Sequence, residues 1–153
     1  MTLNRDFIGR TRTAPEVYEV SREKIREFAL ATGDPDPAHL DPAAARALGH
    51  PDVIAPPAFA TVVWFRLGGW PLFEPGFGKQ KQPVMVLGGQ RVTHHRPIRA
   101  GDRLVHTTTV ADISDAGPHE RFTCVHRITT VDGEPVSTVT DTALSRGTAE
   151  AGR

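Results

Sequence analysis

The stretch ATGDPDPAHLD, residues 31–41, carries a carboxylate and an imidazole five positions apart, Asp34 and His39. A carboxylate beside an imidazole can fix the ring and favour its charged form, or the two can divide proton transfers between them. Adding water across a C=C bond requires one proton to leave the water and one to reach carbon. Two groups gripping a single water can supply both. A plainer reading competes with this one. Asp and Pro are turn residues, GDPDP reads as a helix stop followed by a turn, Asp36 and Asp41 can serve as caps, and His39 can be a surface histidine. Pro35 and Pro37 restrict themselves and the residues before them, which favours a fixed loop under either reading.

Other residue types able to do chemistry are sparser. His94 and His95 are neighbours in a strand-like run, so their side chains point to opposite faces and cannot share one metal. One is expected to be buried on the helix side and the other exposed. No His/Cys spacing resembles a zinc site, and no cofactor is implied. Gly88 and Gly89 lie inside a strand pattern, where glycine marks a bulge or the close approach of a ligand or a helix. Cys124 alternates with Phe122 and His126 and reads as a small core hydrophobe. There is no G-x-S-x-G elbow, P-loop or G-x-G-x-x-G, so serine hydrolase, nucleotidase and Rossmann chemistry lack support.

These residues need a scaffold. PEVYEV alternates, giving a short strand over 16–20. Ser21 can cap a helix that places Ile25, Phe28, Ala29 and Thr32 on one face and stops at Gly33. Asp41 and Pro42 open a second short helix ending at Gly49. Pro56 and Pro57 can stand only at the start of a third helix, 58–67. That segment is apolar on nearly every side and is expected to be buried all round. After the loop PLFEPGFGKQKQP come four Val/Thr/Ile-rich runs separated by RAGD, DAGPH and DGE, which is the pattern of an antiparallel sheet. Strand, helices, then four strands make an α+β fold: a curved antiparallel sheet wrapped on the apolar helix.

The chain has 153 residues, enough for one domain with a real core. Residues 1–146 are expected to form it, with 147–153 a flexible tail. Basic and acidic residues balance at 18 each, so there is no excess charge for nucleic acid. The single cysteine excludes an intramolecular disulfide, and no apolar leader or span is seen, so a cytoplasmic location and no membrane partner are expected.

The central stretch resembles the motif SGDxNPxHxD of the MaoC-like, (R)-specific enoyl-thioester hydratases. Gly33, Asp34, Pro37, His39 and Asp41 match, and Asp36 stands where asparagine is usual. HRPIRAGDRL is similar to the family's RPVxxGDxL turn. APPAF and LGGQ look more like its FAS1-like dehydratase branch, which includes small actinobacterial relatives of (3R)-hydroxyacyl-ACP dehydratase subunits. The resemblance spans roughly 7–146. It implies a hot-dog fold and the reversible hydration of a trans-2-enoyl thioester, carried on CoA or acyl carrier protein, to the (R)-3-hydroxyacyl thioester. The expected assembly is a homodimer, with a heterodimer possible. By position it gives Asp34 the water proton and His39 the delivery of a proton at Cα. The thioester oxygen then needs donors. The family's usual oxyanion glycine falls at Pro57, which has no N–H, so the resemblance moves that task to the backbone of Ala58 or Phe59. Asp36, Pro57, Gly88 and Gly89 are the positions expected to line the substrate. Lys79, Lys81 and Arg66 could meet a phosphate, although a solvated loop is the better explanation of those charges. Three other readings stand beside this one. A non-catalytic, acyl-thioester-binding partner subunit of a two-subunit dehydratase can lack the pair, and this chain retains both residues. A non-enzymatic acyl-thioester-binding module would be indifferent to Asp34→Asn. A hot-dog thioesterase would want a carboxylate on the central helix, and 58–67 offers none.

Overall fold

The computed structural model describes residues 2–78 and 85–146. Lys79, Lys81 and the expected tail 147–153 lie outside the described residues. Its elements in chain order are β1 (Thr11–Thr13), β2 (Tyr18–Glu19), α1 (Arg22–Ala31), α2 (Pro37–Leu40), α3 (Pro42–Ala47), α4 (Ala60–Leu67), β3 (Met85–His94), β4 (Arg103–Ala116), β5 (His119–Thr130) and β6 (Pro135–Ser145). Short 3-10 turns at Arg5–Phe7, Pro57–Phe59 and Pro75–Phe77 complete it.

The sheet runs β1-β4-β5-β6-β3, with β2 also pairing β4, and every pairing is antiparallel. The four long strands are those the Val/Thr/Ile runs predict. β3 returns beside β6 rather than beside β4, because the β4-β5 and β5-β6 hairpins fill the positions between them. The strand expected over 16–20 shrinks to Tyr18–Glu19, and β1 and the Arg5–Phe7 turn are additions. They carry too few residues to show a period.

Period-two burial aims one face of β4, β5 and β6 at the helices. A bulge between Val110 and Asp112 inserts a residue in β4, which lets both Val110 and Ile113 face inward. Two apolar clusters result. One gathers Ile25, Phe59, Val63, Leu104, Ile128 and Val139 beneath α1 and α4. The other gathers Phe7, Phe77, Val110, Ile113, Phe122 and Cys124. The second is tied to the N-terminal segment by Leu3 N–H, which donates to the buried Glu120 Oε2 at 2.8 Å.

α4 departs from the expectation of burial all round. Ala60 and Val63 are buried, but Phe65 is 75% exposed. A single sheet can cover only one side of a helix. His94 and His95 are also both exposed, not divided between core and solvent. His94 ends the edge strand and His95 follows it, and they bond to the hydroxyls of Ser137 and Thr138, each at 3.1 Å.

Candidate active site

The Asp/His stretch is neither a floppy loop nor a simple turn. Ser21 caps α1 by accepting from Lys24 N–H, and the helix runs to Ala31. Gly33 then takes φ +70°, a conformation that a side-chain-bearing residue adopts only under strain. This reversal lets Asp34 N–H donate to Ala29 O at 2.9 Å, which fixes the backbone carrying the carboxylate.

Asp36 comes next. Its carboxylate accepts from Ala38 N–H at 2.8 Å and caps α2, and Pro37 supplies the first helical position. Asp36 was expected among the substrate-lining residues. It is exposed and serves as a helix cap. Asp41 repeats the device for α3 through Ala43 N–H, as expected.

α2 is one turn long, and its purpose is visible in His39, which it turns inward to 7% exposure. His39 Nδ1 lies 2.7 Å from Ile54 O. A carbonyl can only accept, so Nδ1 carries the proton in this contact. Nε2 is left facing Asp34 Oδ2 at 3.4 Å. The pair is asymmetric: the His39 side chain is 8% exposed and that of Asp34 is 44% exposed. Solvent or substrate therefore reaches the pair from the carboxylate side, while the ring stays clamped behind it.

The segment that clamps His39 is itself held on both sides. Ile54 N–H donates to Ala38 O at 3.1 Å, Ala55 N–H to Ile98 O at 2.7 Å, and Ala100 N–H to Val53 O at 3.0 Å. It then leads into Pro57–Phe59 and α4. Of the two backbone donors expected there, Phe59 is excluded. Its N–H donates to Pro56 O at 2.9 Å, and its ring is fully buried, 5.4 Å from that of Phe28. Ala58 is exposed beside the exposed Pro57 and remains the donor available at this helix entrance.

Gly88 and Gly89 do not approach a helix. They form the β3 bulge between Leu87 and Gly89 on the exposed edge strand. Arg66 is exposed on α4. The HRPIRAGDRL turn is structural. Arg96 grips Asp102 with two nitrogens at 2.8 and 3.0 Å, and Arg99 N–H donates to the same carboxylate at 3.0 Å. That turn also supplies the Ile98 carbonyl that positions Ala55, so it supports the site indirectly.

One polar cluster escaped the sequence reading. His106, Thr108, His126 and Asp141 form a buried band across β4, β5 and β6, joined by Trp64 from α4. The signal was present: each stands at an inward position of its strand, where an apolar residue is expected.

Among the described residues no group of His, Cys, Asp and Glu could hold a metal ion, and no helix is long and apolar enough to cross a membrane.

An antiparallel sheet packed on a central helix is the fold of the solved structures most like this chain, which include dehydratases. The chain belongs to the FAS1-like, dehydratase domain region family, whose pattern matches residues 6–139. It is 47% identical over 150 residues to a UPF0336 protein of Saccharopolyspora erythraea, covering 98% of this chain and 96% of that one. A UPF0336 protein of Streptomyces coelicolor is 40% identical over 151 residues, covering 99% and 100%. Among solved structures, the C-terminally truncated HadBC (3R-hydroxyacyl-ACP dehydratase) complex from Mycobacterium tuberculosis aligns with TM-score 0.82 and 26% identity, over 94% of this chain and 100% of that chain. A MaoC-like dehydratase aligns with TM-score 0.81 and 29% identity, over 92% of this chain and 42% of the longer protein. The fold is accordingly the α+β hot-dog, and the family is that of a FAS1-like dehydratase domain.

Proposed function

We propose that this protein is a hydro-lyase that interconverts trans-2-enoyl and (R)-3-hydroxyacyl thioesters, with Asp34 and His39 as its catalytic pair. The observation that carries the reading is the fixed tautomer of His39. With Nδ1–H committed to Ile54 O, only Nε2 can exchange a proton, and it faces Asp34. In the hydration direction a water between them gives a proton to the Asp34 carboxylate and its oxygen to Cβ. His39, protonated at Nε2, delivers that proton to Cα and becomes the neutral Nδ1–H tautomer. Return of the proton from Asp34 to Nε2, directly or through one water, resets the pair. Negative charge rises on the thioester oxygen, and Ala58 N–H is the donor proposed to meet it.

The natural carrier is CoA or acyl carrier protein, the setting cytoplasmic, and the assembly a homodimer or a heterodimer. HadBC is a complex of two different subunits, which supports including the heteromeric case. The thioesterase reading loses ground because α4 (ATVVWFRL) carries no carboxylate to activate water.

The test is loss of the conjugated enoyl-thioester absorbance on mixing the protein with a short trans-2-enoyl-CoA and, separately, with the acyl-carrier-protein thioester. A thiol reagent in parallel reports hydrolysis. Reversible loss of absorbance without thiol release supports the reading. Thiol release in its place points to a thioesterase. Binding without turnover of either substrate points to a non-catalytic partner.

A further inference from the structure

Asp34 and His39 lie within a lobe of the chain that an ion pair closes. Arg22 opens α1, and its guanidinium donates to Asp52 from two nitrogens, Nε to Oδ1 at 3.0 Å and Nη2 to Oδ2 at 2.7 Å. A planar fork on a planar carboxylate fixes direction as well as distance. The two residues are 30 positions apart, and Asp34 and His39 both fall between them.

Each partner is tied to one member of the proposed pair. From Arg22 the helix runs to Ala31, and Asp34 N–H donates back to Ala29 O at 2.9 Å. The Asp34 carboxylate therefore moves with α1. On the other side, Asp52 Oδ1 also accepts from Val53 N–H at 2.7 Å. The next residue is Ile54, whose carbonyl clamps His39 Nδ1. The His39 ring therefore moves with segment 52–55. Ile25 of α1 and Val53 share the buried cluster below, but apolar contact is non-directional and leaves the two pieces free to slide. The fork removes that freedom. The hydrogen bond from Arg22 chiefly holds the Asp52 carboxyl below its ordinary value, and Val53 N–H and the charge of Arg46 on α3 act in the same direction.

The side chains of Arg22 and Asp52 are 60% and 23% exposed, and pairs so exposed add little to stability. Catalytic geometry is far more sensitive, since a misplacement of about 1 Å can cost roughly 100-fold in rate.

We propose that Arg22 and Asp52 are positioning residues, whose ion pair locks segment 52–55 against α1 and so keeps His39 in its Nδ1–H tautomer with Nε2 facing Asp34. The consequence for turnover rests on the hydro-lyase reading; the consequence for the His39 ring does not.

The full-length protein is compared with Arg22→Gln, Asp52→Asn, the double variant and Arg22→Lys. With a short trans-2-enoyl-CoA, each of the first two should lower kcat roughly 10- to 100-fold. KM should stay within about twofold, because the substrate contacts are untouched. The double variant should be no worse than the poorer single one, since the same interaction is lost once. Arg22→Lys keeps the charge without the fork and should fall between wild type and Arg22→Gln. The ring is read separately by 15N NMR at a pH where it is neutral, the His39 signals being those missing from His39→Ala. Wild type should show one tautomer, protonated at Nδ1, and Arg22→Gln and Asp52→Asn a mixture. Circular dichroism confirms that each variant is folded, and partial unfolding alone leaves the His39 signal of the folded protein unchanged. An unaltered His39 spectrum in both single variants overturns the proposal whatever the activity. So does a kcat within about twofold of wild type in both, or additive losses in the double variant. If the wild type turns over no enoyl thioester, the hydro-lyase reading fails and the His39 spectra alone decide the positioning role.

Discussion

His39 touches the main chain with one ring nitrogen and Asp34 with the other: Nδ1 is 2.7 Å from Ile54 O, and Nε2 is 3.4 Å from Asp34 Oδ2. The proposed proton route therefore depends on a carbonyl fifteen residues away in sequence as much as on the two side chains. Asp34→Asn and His39→Ala should each lower turnover of the enoyl thioester by roughly 10²–10⁴-fold, the range for removing a general acid or base. Binding of the thioester should change far less. Steady-state kcat and a separate equilibrium titration distinguish the two effects. Activity within a few fold of wild type in either variant would sink the assignment.

Asp36 gives the opposite expectation. Its side chain is exposed, and the hydrogen bond it makes is the part-buried cap to Ala38 N–H. Asp36→Ala should cost about 1 kcal/mol of stability. Asp36→Asn should retain the cap, stability and activity. Urea unfolding of both variants, with kcat measured alongside, checks this. A large loss of activity in Asp36→Asn would restore Asp36 to the reacting centre.

The fork between Arg96 and Asp102 is a largely buried ion pair, with side chains 14% and 5% exposed. Asp102→Ala leaves the Arg96 guanidinium with the half-exposed Glu134, at 3.1 Å, and the Pro97 carbonyl, at 2.9 Å. A loss of about 3–5 kcal/mol is expected, as for other buried pairs with one member removed. Arg96→Met/Asp102→Leu together should be milder than Asp102→Ala alone, because the charges left without their partners, Glu134 and Arg99, are solvent-exposed. Denaturant midpoints of the three proteins test the order.

Stability should fall with acid through the sheet's interior. Burial, and then the neighbouring His126, hold His106 at about 4 instead of the usual 6.5. Between those values the unfolded chain binds a proton that the folded chain does not. Stability therefore rises with pH across that window and is lost as pH falls from about 6.5 toward 4. The contribution is of order 3 kcal/mol at most. Unfolding free energies in urea at several pH values should show the slope, and His106→Phe should flatten it. An unchanged slope would exclude His106 as its source.

The sequence by itself determined what local chemistry dictates. Ser21, Asp41 and Gly33 mark helix ends because a side-chain oxygen or a positive φ acts within a few residues. The four long strands were legible from their composition and turns, and Asp34 and His39 from their spacing and motif. Tertiary structure decided the rest, since each remaining feature depends on partners remote in sequence. Whether His39 is a surface histidine or a clamped one turns on Ile54 O. Whether Asp36 faces the site or caps α2 turns on where that single helical turn must point. Phe59 N–H was lost to Pro56 O only because the helix entrance tightened into a 3-10 turn. The band of His106, His126, Asp141 and Trp64 joins three strands and a helix, so it exists only once strand register places Cys124 opposite Asp141 and Thr108 opposite His126. Phe65 remains exposed for a related reason: an apolar sequence records a preference for burial, but the geometry of one sheet and one helix limits how much of it this fold can satisfy.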